Sequence, residues 1–408
     1  MRVLMFGWDF SARLSGGLGP ACRGITGALS VLGHDVILVF PRGNPPPEDI
    51  RTHEREAAAA REINARPVSS PLTPYQTPAS YRPPPLRAAE TGDPAAEGEY
   101  GPDLLSEVLR FGEEASWLAR DLSFDVIHAH DWMTVFAAVR ARETSGKPLV
   151  FHVHSLEINR RGEDINRNIF EIERYGMERA DHIIAVSAFL KNMIVSRCGI
   201  PPEKVTVAYN AAESFEAAGP APPRNGGGKT VLFLGRITHQ KGPRYFLDAA
   251  ARVLRDLPET DFIMAGDGDG LDEARRYAGE LGIAARIRFT GFLEEDRLEE
   301  VFAVSDLYVL SSASEPFGIV PLEAARRGVP VILSRQSGVA EVLKTAWRVD
   351  FWDTEELARK IIDLLTHPDL AASLAQAVRE EEAGIRWDAT AEKIDGIYRQ
   401  LETGFPPR

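Results

Sequence analysis

With 408 residues, 44% hydrophobic and 26% charged, the chain has a globular composition and the length of two domains. Its formal net charge of −13 argues against a phosphate backbone or an anionic membrane as partner, although a local pocket can still take an anionic small molecule. The two cysteines, Cys22 and Cys198, give no disulfide framework, the N-terminus lacks the apolar run of a signal peptide, and no stretch approaches the roughly 20 apolar residues that span a bilayer, so a soluble, cytoplasmic protein is expected.

Short apolar runs alternate with amphipathic helical patterns along the chain, the signature of an α/β protein with parallel sheets. The first half offers strands at Val3–Phe6, Val36–Phe40, Val126–Ala129, Leu149–Val153, Ile183–Val186 and Val205–Ala208, with helical patterns such as Leu104–Leu122 and Val186–Arg197 between them. Residues 43–102 hold nearly half of the 28 prolines and predict an excursion without regular hydrogen bonding. Ser214–Gly228, rich in Ala, Pro and Gly, reads as a linker. The rhythm resumes with Thr230–Leu234, Asp261–Ala265, Ile287–Thr290, Leu307–Leu310 and Pro330–Leu333, and a last helix is predicted over Trp387–Leu401. The expected organisation is therefore a domain over 1–213, a linker over 214–228, a second domain over 229–386 and a helix within 387–408.

Four segments carry chemical signals. Gly16-Gly17, in the turn after the first strand, lets backbone approach a ligand, and Pro20 suits the helix that follows; an ordinary strand-to-helix turn looks the same. Gly235–Gly242 sets Arg236 and Lys241 five residues apart after the first strand of the second half, the fixed positive charge that a diphosphate needs. Glu315 precedes a turn and Glu323 lies about two helical turns further on; with a helix start near Phe317 the free amides would face a ligand, with Glu315 at the mouth, while the plainer reading is one carboxylate complementing the helix dipole and one exposed Glu. Finally, alternation places His128 with His130 and His152 with His154 on common faces. No carboxylate or Cys completes a familiar metal-ligand spacing, and these histidines are expected to hydrogen-bond a polar ligand. Gly228-Lys229-Thr230 is not a P-loop, since Pro223 stands at its first glycine position and a strand follows it. No G-x-G-x-x-G follows either first strand, which argues against a nicotinamide or flavin enzyme.

Together these residues resemble the retaining glycosyltransferases of the GT-B fold, family 4 (group 1), which include the glycogen and starch synthases. Gly235–Gly242 combined with Glu315–Glu323 looks like the E-x7-E arrangement of that family, and His130-Asp131-Trp132 with Gly16-Gly17-Leu18 looks like bacterial glycogen synthase. The resemblance implies two Rossmann-like domains facing a cleft, with the C-terminal helix crossing back to the first. It implies that Arg236 and Lys241 hold the donor diphosphate, Glu323 the ribose, and the backbone of Phe317, Gly318 and Ile319 the distal phosphate. Gly16 and Gly17 would close over the donor. His154 would meet the transferred sugar, Glu315 would stand beside its hydroxyls, Asp131 would face the acceptor, and the loop bearing Phe292 would receive the base. One position departs: bacterial glycogen synthases carry Lys two residues before the paired glycines, where this chain has Leu14 beside Arg13. The implied partners are an ADP- or UDP-sugar and a carbohydrate acceptor, an α-1,4-glucan first, with no cofactor, no obligatory metal and no nucleic acid. A mannosyltransferase of the same fold, a nucleotide-sugar epimerase and a non-catalytic glucan-binding protein are the alternatives.

Overall fold

A computed structural model describes residues 1–8, 17–41, 63–73, 76–82, 102–213 and 228–404, with Glu295 and Asp296 described by backbone alone. Two wholly parallel sheets organise them. The first has β1 (Arg2–Phe6), β2 (Asp35–Pro41), β3 (Ile63–Val68), β4 (Val126–His130), β5 (Leu149–Val153), β6 (His182–Ala185) and β7 (Val205–Val207) in the order β3-β2-β1-β4-β5-β6-β7. The second has β8 (Thr230–Leu234), β9 (Asp261–Ala265), β10 (Ile287–Gly291), β11 (Leu307–Leu310), β12 (Val331–Ser334) and β13 (Trp347–Val349) in the order β10-β9-β8-β11-β12-β13.

Helices cover both faces of such sheets, so their strands are buried on both sides and read as unbroken apolar runs. On one face of the first sheet Val3, Met5, Leu38 and Val150 pack beneath the helices Leu18–Val31 and Trp387–Gly404. The second of these crosses back after the second sheet is complete, and brings Ala391, Ile394, Ile397 and Tyr398 into that core. Burying each large side chain there is worth about 2 kcal/mol. Close approach is possible because Gly24 faces Trp387: a Cβ on Gly24 would lie 2.1 Å from the indole ring. No helix among the described residues is long and apolar enough to cross a membrane.

Two sequence expectations need correction here. The proline-rich segment is not all irregular, because its Ile63–Val68 forms the edge strand β3, paired only to β2. An edge strand tolerates Pro67, whose missing N–H breaks no inner ladder. The helix expected near Phe317 starts instead at Val320 and runs to Arg326. Gly318, at φ 100°, holds the preceding residues in a turn. Most of residues 43–102, nearly all of the linker, and Gly16 lie outside the described residues.

Candidate active site

In an open parallel sheet the loops at the carboxyl ends of two neighbouring strands diverge where the strand order reverses, and a crevice forms there. The first sheet reverses between β1 and β4, the second between β8 and β11. Gly17 follows β1 and Asp131 follows β4; Arg236 and Lys241 follow β8, and Glu315 follows β11. The sequence-selected residues thus stand at both switch points.

On the second sheet, the turn His239–Lys241 brings the Lys241 ammonium 2.6 Å from Glu315 Oε2. The Ser312 hydroxyl donates to the same oxygen at 3.0 Å. Glu315 is 5% exposed, so these partners are what make its charge tolerable. Gly318 packs against it, a Cβ there lying 3.2 Å from Glu315 Cγ. The amides of Gly318 and Ile319 make no hydrogen bond among the described residues, and so stay available to an anion. Glu323 lies in the first turn of the helix Val320–Arg326, half-exposed yet deep among protein atoms; desolvation pushes its carboxyl up to about 7. Arg236 is half-buried in the loop after β8, where its carbonyl accepts from Thr238 N–H. Phe292 stands apart, 41% exposed just past the bulged end of β10.

On the first sheet, Asp131 adopts φ 60° and ψ 175°, a backbone that a non-glycine residue rarely holds without a local reason. Its Oδ1 accepts from His154 N–H at 2.7 Å, fastening the ends of β4 and β5 together. Burial pushes its carboxyl up to about 6. It lines a pocket with Trp8, Gln76, Trp132, Arg161 and Asn166. Among the contacts that join the sides, Asn159 Nδ2 donates to Ser314 Oγ at 2.8 Å, and a Cβ on Gly17 would lie 3.6 Å from Ile319 Cδ1. Gly17 therefore confronts Ile319, and Asn159 reaches the residue just before Glu315.

The profile of Glycosyltransferase Family 4 matches residues 82–213, and that of Glycosyl transferases group 1 matches residues 215–381. A D-inositol 3-phosphate glycosyltransferase of Thermobispora bispora is 30% identical over 307 residues, 68% of this chain and 71% of that one. The chain belongs to the group 1, family 4 glycosyltransferases. The glycogen synthase of Mycobacterium tuberculosis is 26% identical over 427 aligned positions, 99% of this chain and 96% of that protein. Among solved structures, the sucrose-phosphate synthase of Thermosynechococcus elongatus superposes with a TM-score of 0.75 at 21% identity, covering 99% of this chain and 100% of that one. That likeness carries the GT-B fold alone.

The histidines of this glycosyltransferase are arranged differently from the sequence expectation. All four lie on one face of the first sheet, because His130 and His152 are register partners and the others follow by alternation. They stack as a ladder, with ring centroids of successive pairs 4.4 to 5.3 Å apart. His128 bonds to Tyr398 of the helix Trp387–Gly404 and, at 3.2 Å, to His152; His130 bonds to His154 at 2.9 Å. His128, His130 and His152 are wholly buried, so they serve one another and Tyr398 and do not reach a ligand. Nitrogens of these three come within 4.8 Å of one another, but rings tilted by only 15–28° aim their lone pairs side by side and not at one point. Desolvation holds the imidazoles neutral, His130 at about 3 and the others well below the usual range.

Sequence reasoning missed several supporting residues of the transferase. Arg160, which lines the Asp131 pocket together with Glu157, pairs with Glu173 at 2.6 Å and Glu157 at 3.1 Å, and burial lifts the Glu173 carboxyl to about 7. Ser312 and Asn159 were missed as well. None belongs to a recognised motif; Ser312 and Arg160 have partners three residues away that no rule marks, and Asn159 meets Ser314 only through a tertiary contact.

Proposed function

We propose that this glycosyltransferase moves a hexose, glucose first, from an ADP- or UDP-sugar onto an α-1,4-glucan with retention of anomeric configuration. The observation that carries the donor side is the cluster at the second switch point: Arg236, the Lys241–Glu315 pair and the acceptor-free amides of Gly318 and Ile319. Charge grows on the departing diphosphate as the sugar–phosphate bond breaks, and preset donors stabilise it without reorganising. In this reading Glu323 takes the ribose and the loop bearing Phe292 takes the base. Gly17 closes from the other side.

His154 and Asp131 then face the transferred sugar and the incoming hydroxyl. Holding both substrates in one crevice replaces the entropy of their encounter. Attack comes from the face that the leaving group vacates, and the departing phosphate takes the acceptor's proton. Glu315, already bound by Lys241 and Ser312, orients the sugar and offsets its oxocarbenium-like charge; it is not assigned as a nucleophile. Side chains and amides handle the phosphate charge, so no obligatory metal is proposed; activity lost to a chelator and restored by Mg²⁺ would reverse that. The reading places the enzyme in the cytoplasm.

The match to M. tuberculosis glycogen synthase along nearly the whole chain supports the glucan acceptor. The D-inositol 3-phosphate relatives support a second reading, another sugar moved to a small acceptor. Nucleoside diphosphate release from ADP-, UDP- and GDP-sugars, with and without maltooligosaccharide or inositol phosphate, separates them. Chain extension from ADP- or UDP-glucose is the expected result; release stimulated only by the small acceptor overturns the glucan assignment.

A further inference from the structure

The turn Gly338–Glu341 lies behind the donor loop and ties it to the first half of the molecule. On its inner side Gly338 N–H donates to the Glu315 carbonyl at 2.9 Å and Val339 N–H to the Phe317 carbonyl at 2.8 Å. On its outer side the Glu341 carboxylate meets the helix Ala188–Cys198, accepting from Ala188 N–H at 2.8 Å and from Phe189 N–H at 2.6 Å. Ser187, the N-cap of that helix, accepts from Leu190 N–H at 2.9 Å and donates its hydroxyl to the Pro316 carbonyl at 2.5 Å. Tyr209 hydrogen-bonds to the same carboxylate, and its ring centroid stands 6.1 Å from that of Phe317. The packing is close: a Cβ on Gly338 would lie 2.3 Å from the Pro316 carbonyl oxygen and 2.5 Å from Ser187 Cβ.

The first N–H groups of a helix have no intrahelical acceptor, and a carboxylate placed there gains both hydrogen bonds and the favourable end of the dipole. Such a carboxylate commonly belongs to the helix's own first turn. Here it arrives from 153 residues away, on the turn that also holds the donor loop.

We infer that Glu341 is a positioning residue for donor binding: it anchors the loop Glu315–Ile319 to the amino end of the helix Ala188–Cys198, so that the Gly318 and Ile319 amides stay aimed into the crevice. The inference rests on the reading of this loop as the one that holds the donor phosphate. Without the anchor, a smaller fraction of molecules carries the loop in its binding arrangement, and apparent affinity falls by that fraction.

The test uses Glu341→Ala, Glu341→Gln and Ala188→Pro in the full chain. Proline is accepted at a first helical position, and Ser187 already has the extended φ −162° and ψ 164° that a residue before proline requires. Ala188→Pro thus deletes one of the two amide donors and leaves the carboxylate. Calorimetric affinity for ADP, UDP and GDP, donor KM, acceptor KM, kcat and melting temperature are measured for each. Expected are an about tenfold or greater loss of nucleotide affinity and a matching rise in donor KM for Glu341→Ala. Acceptor KM should change little, Glu341→Gln should recover part of the loss, and a double variant combining Glu341→Ala with Ala188→Pro should be no weaker than Glu341→Ala. Unchanged nucleotide affinity with a lowered melting temperature would make Glu341 merely structural and overturn the inference, as would effects of Ala188→Pro and Glu341→Ala that add in full. If Glu341→Ala does not fold, the other two variants decide by the same readouts. Wild type that binds none of the three nucleotides would remove the donor reading and this inference together, whereas wild type that binds while the variants match it removes the inference alone.

Discussion

Lys241 and Glu315, 74 residues apart in sequence, meet as an ion pair at 2.6 Å with Glu315 almost fully buried. Removing one member of a buried pair strands the other, which costs more than losing a surface contact. Lys241→Met should destabilise the fold by about 3 kcal/mol. Glu315→Gln should cost less, because the freed ammonium is the partner that still reaches solvent. Urea unfolding of both variants checks the order; equal losses would contradict it.

Arg236, in the loop after β8, is assigned to the donor diphosphate, so its contribution should appear in turnover. Arg236→Ala is expected to reduce kcat by about 10²-fold or more, the scale of a lost transition-state donor. Arg236→Lys should recover only part, since a point charge lacks the guanidinium fork. A folded Arg236→Ala variant with unchanged turnover would remove the residue from the mechanism.

Asp131 titrates near 6 because burial disfavours its charge. Its folded-state value lies above the ordinary 3.8, so its contribution to stability is complete below that value and is lost as pH rises through about 6. The stability of wild type relative to Asp131→Asn should fall between pH 3.8 and 6 and stay level above. Activity should run the opposite way, with kcat/KM rising through about pH 6 as the carboxylate forms and that limb absent from Asp131→Asn. Matched denaturation and pH–rate profiles check both signs.

The buried imidazoles act in the other direction. Their folded-state values are depressed, so the unfolded chain takes up protons first as pH falls below about 6.5. In a comparison of wild type with His152→Leu, the wild-type advantage should shrink by about 1.4 kcal/mol per pH unit below that point. A pH-independent difference would mean that His152 takes up its proton equally in the folded and unfolded chain.

What could be read in advance follows from what each segment buries. Central strands such as Val3–Phe6 and Leu307–Leu310 are apolar throughout because helices cover both faces, and they stood out. β3, with the sequence Ile-Asn-Ala-Arg-Pro-Val, alternates over only four residues before Pro67, too short a signal inside a proline-rich segment, and its pairing with β2 reveals it. β13 is three residues long and equally silent. The late helix start at Val320 had a usable signal in Pro321, which favours the first turn. Within the site, Arg236, Lys241, Glu315 and Glu323 were legible because phosphate chemistry fixes their types on two short loops. Ser312, Asn159 and Glu341 were not, since their partners lie 3, 155 and 153 residues away and no spacing rule joins them. His128, His130 and His152 were visible as residues but misread in purpose, because nothing local says that Tyr398 will meet His128 and close the ladder.

The helix Trp387–Gly404 lies over β-strands made at the opposite end of the chain. During synthesis the first sheet therefore waits, with Val3, Met5, Leu38 and the lower rungs of the histidine ladder lacking their lid, until almost every other residue has left the ribosome. The ordinary vectorial advantage, in which an early domain finishes before a later one begins, is forfeited here. Any break between the two sheets would yield an amino-terminal piece with a sticky, unfinished face. The enzyme matures as a whole or is left prone to aggregate.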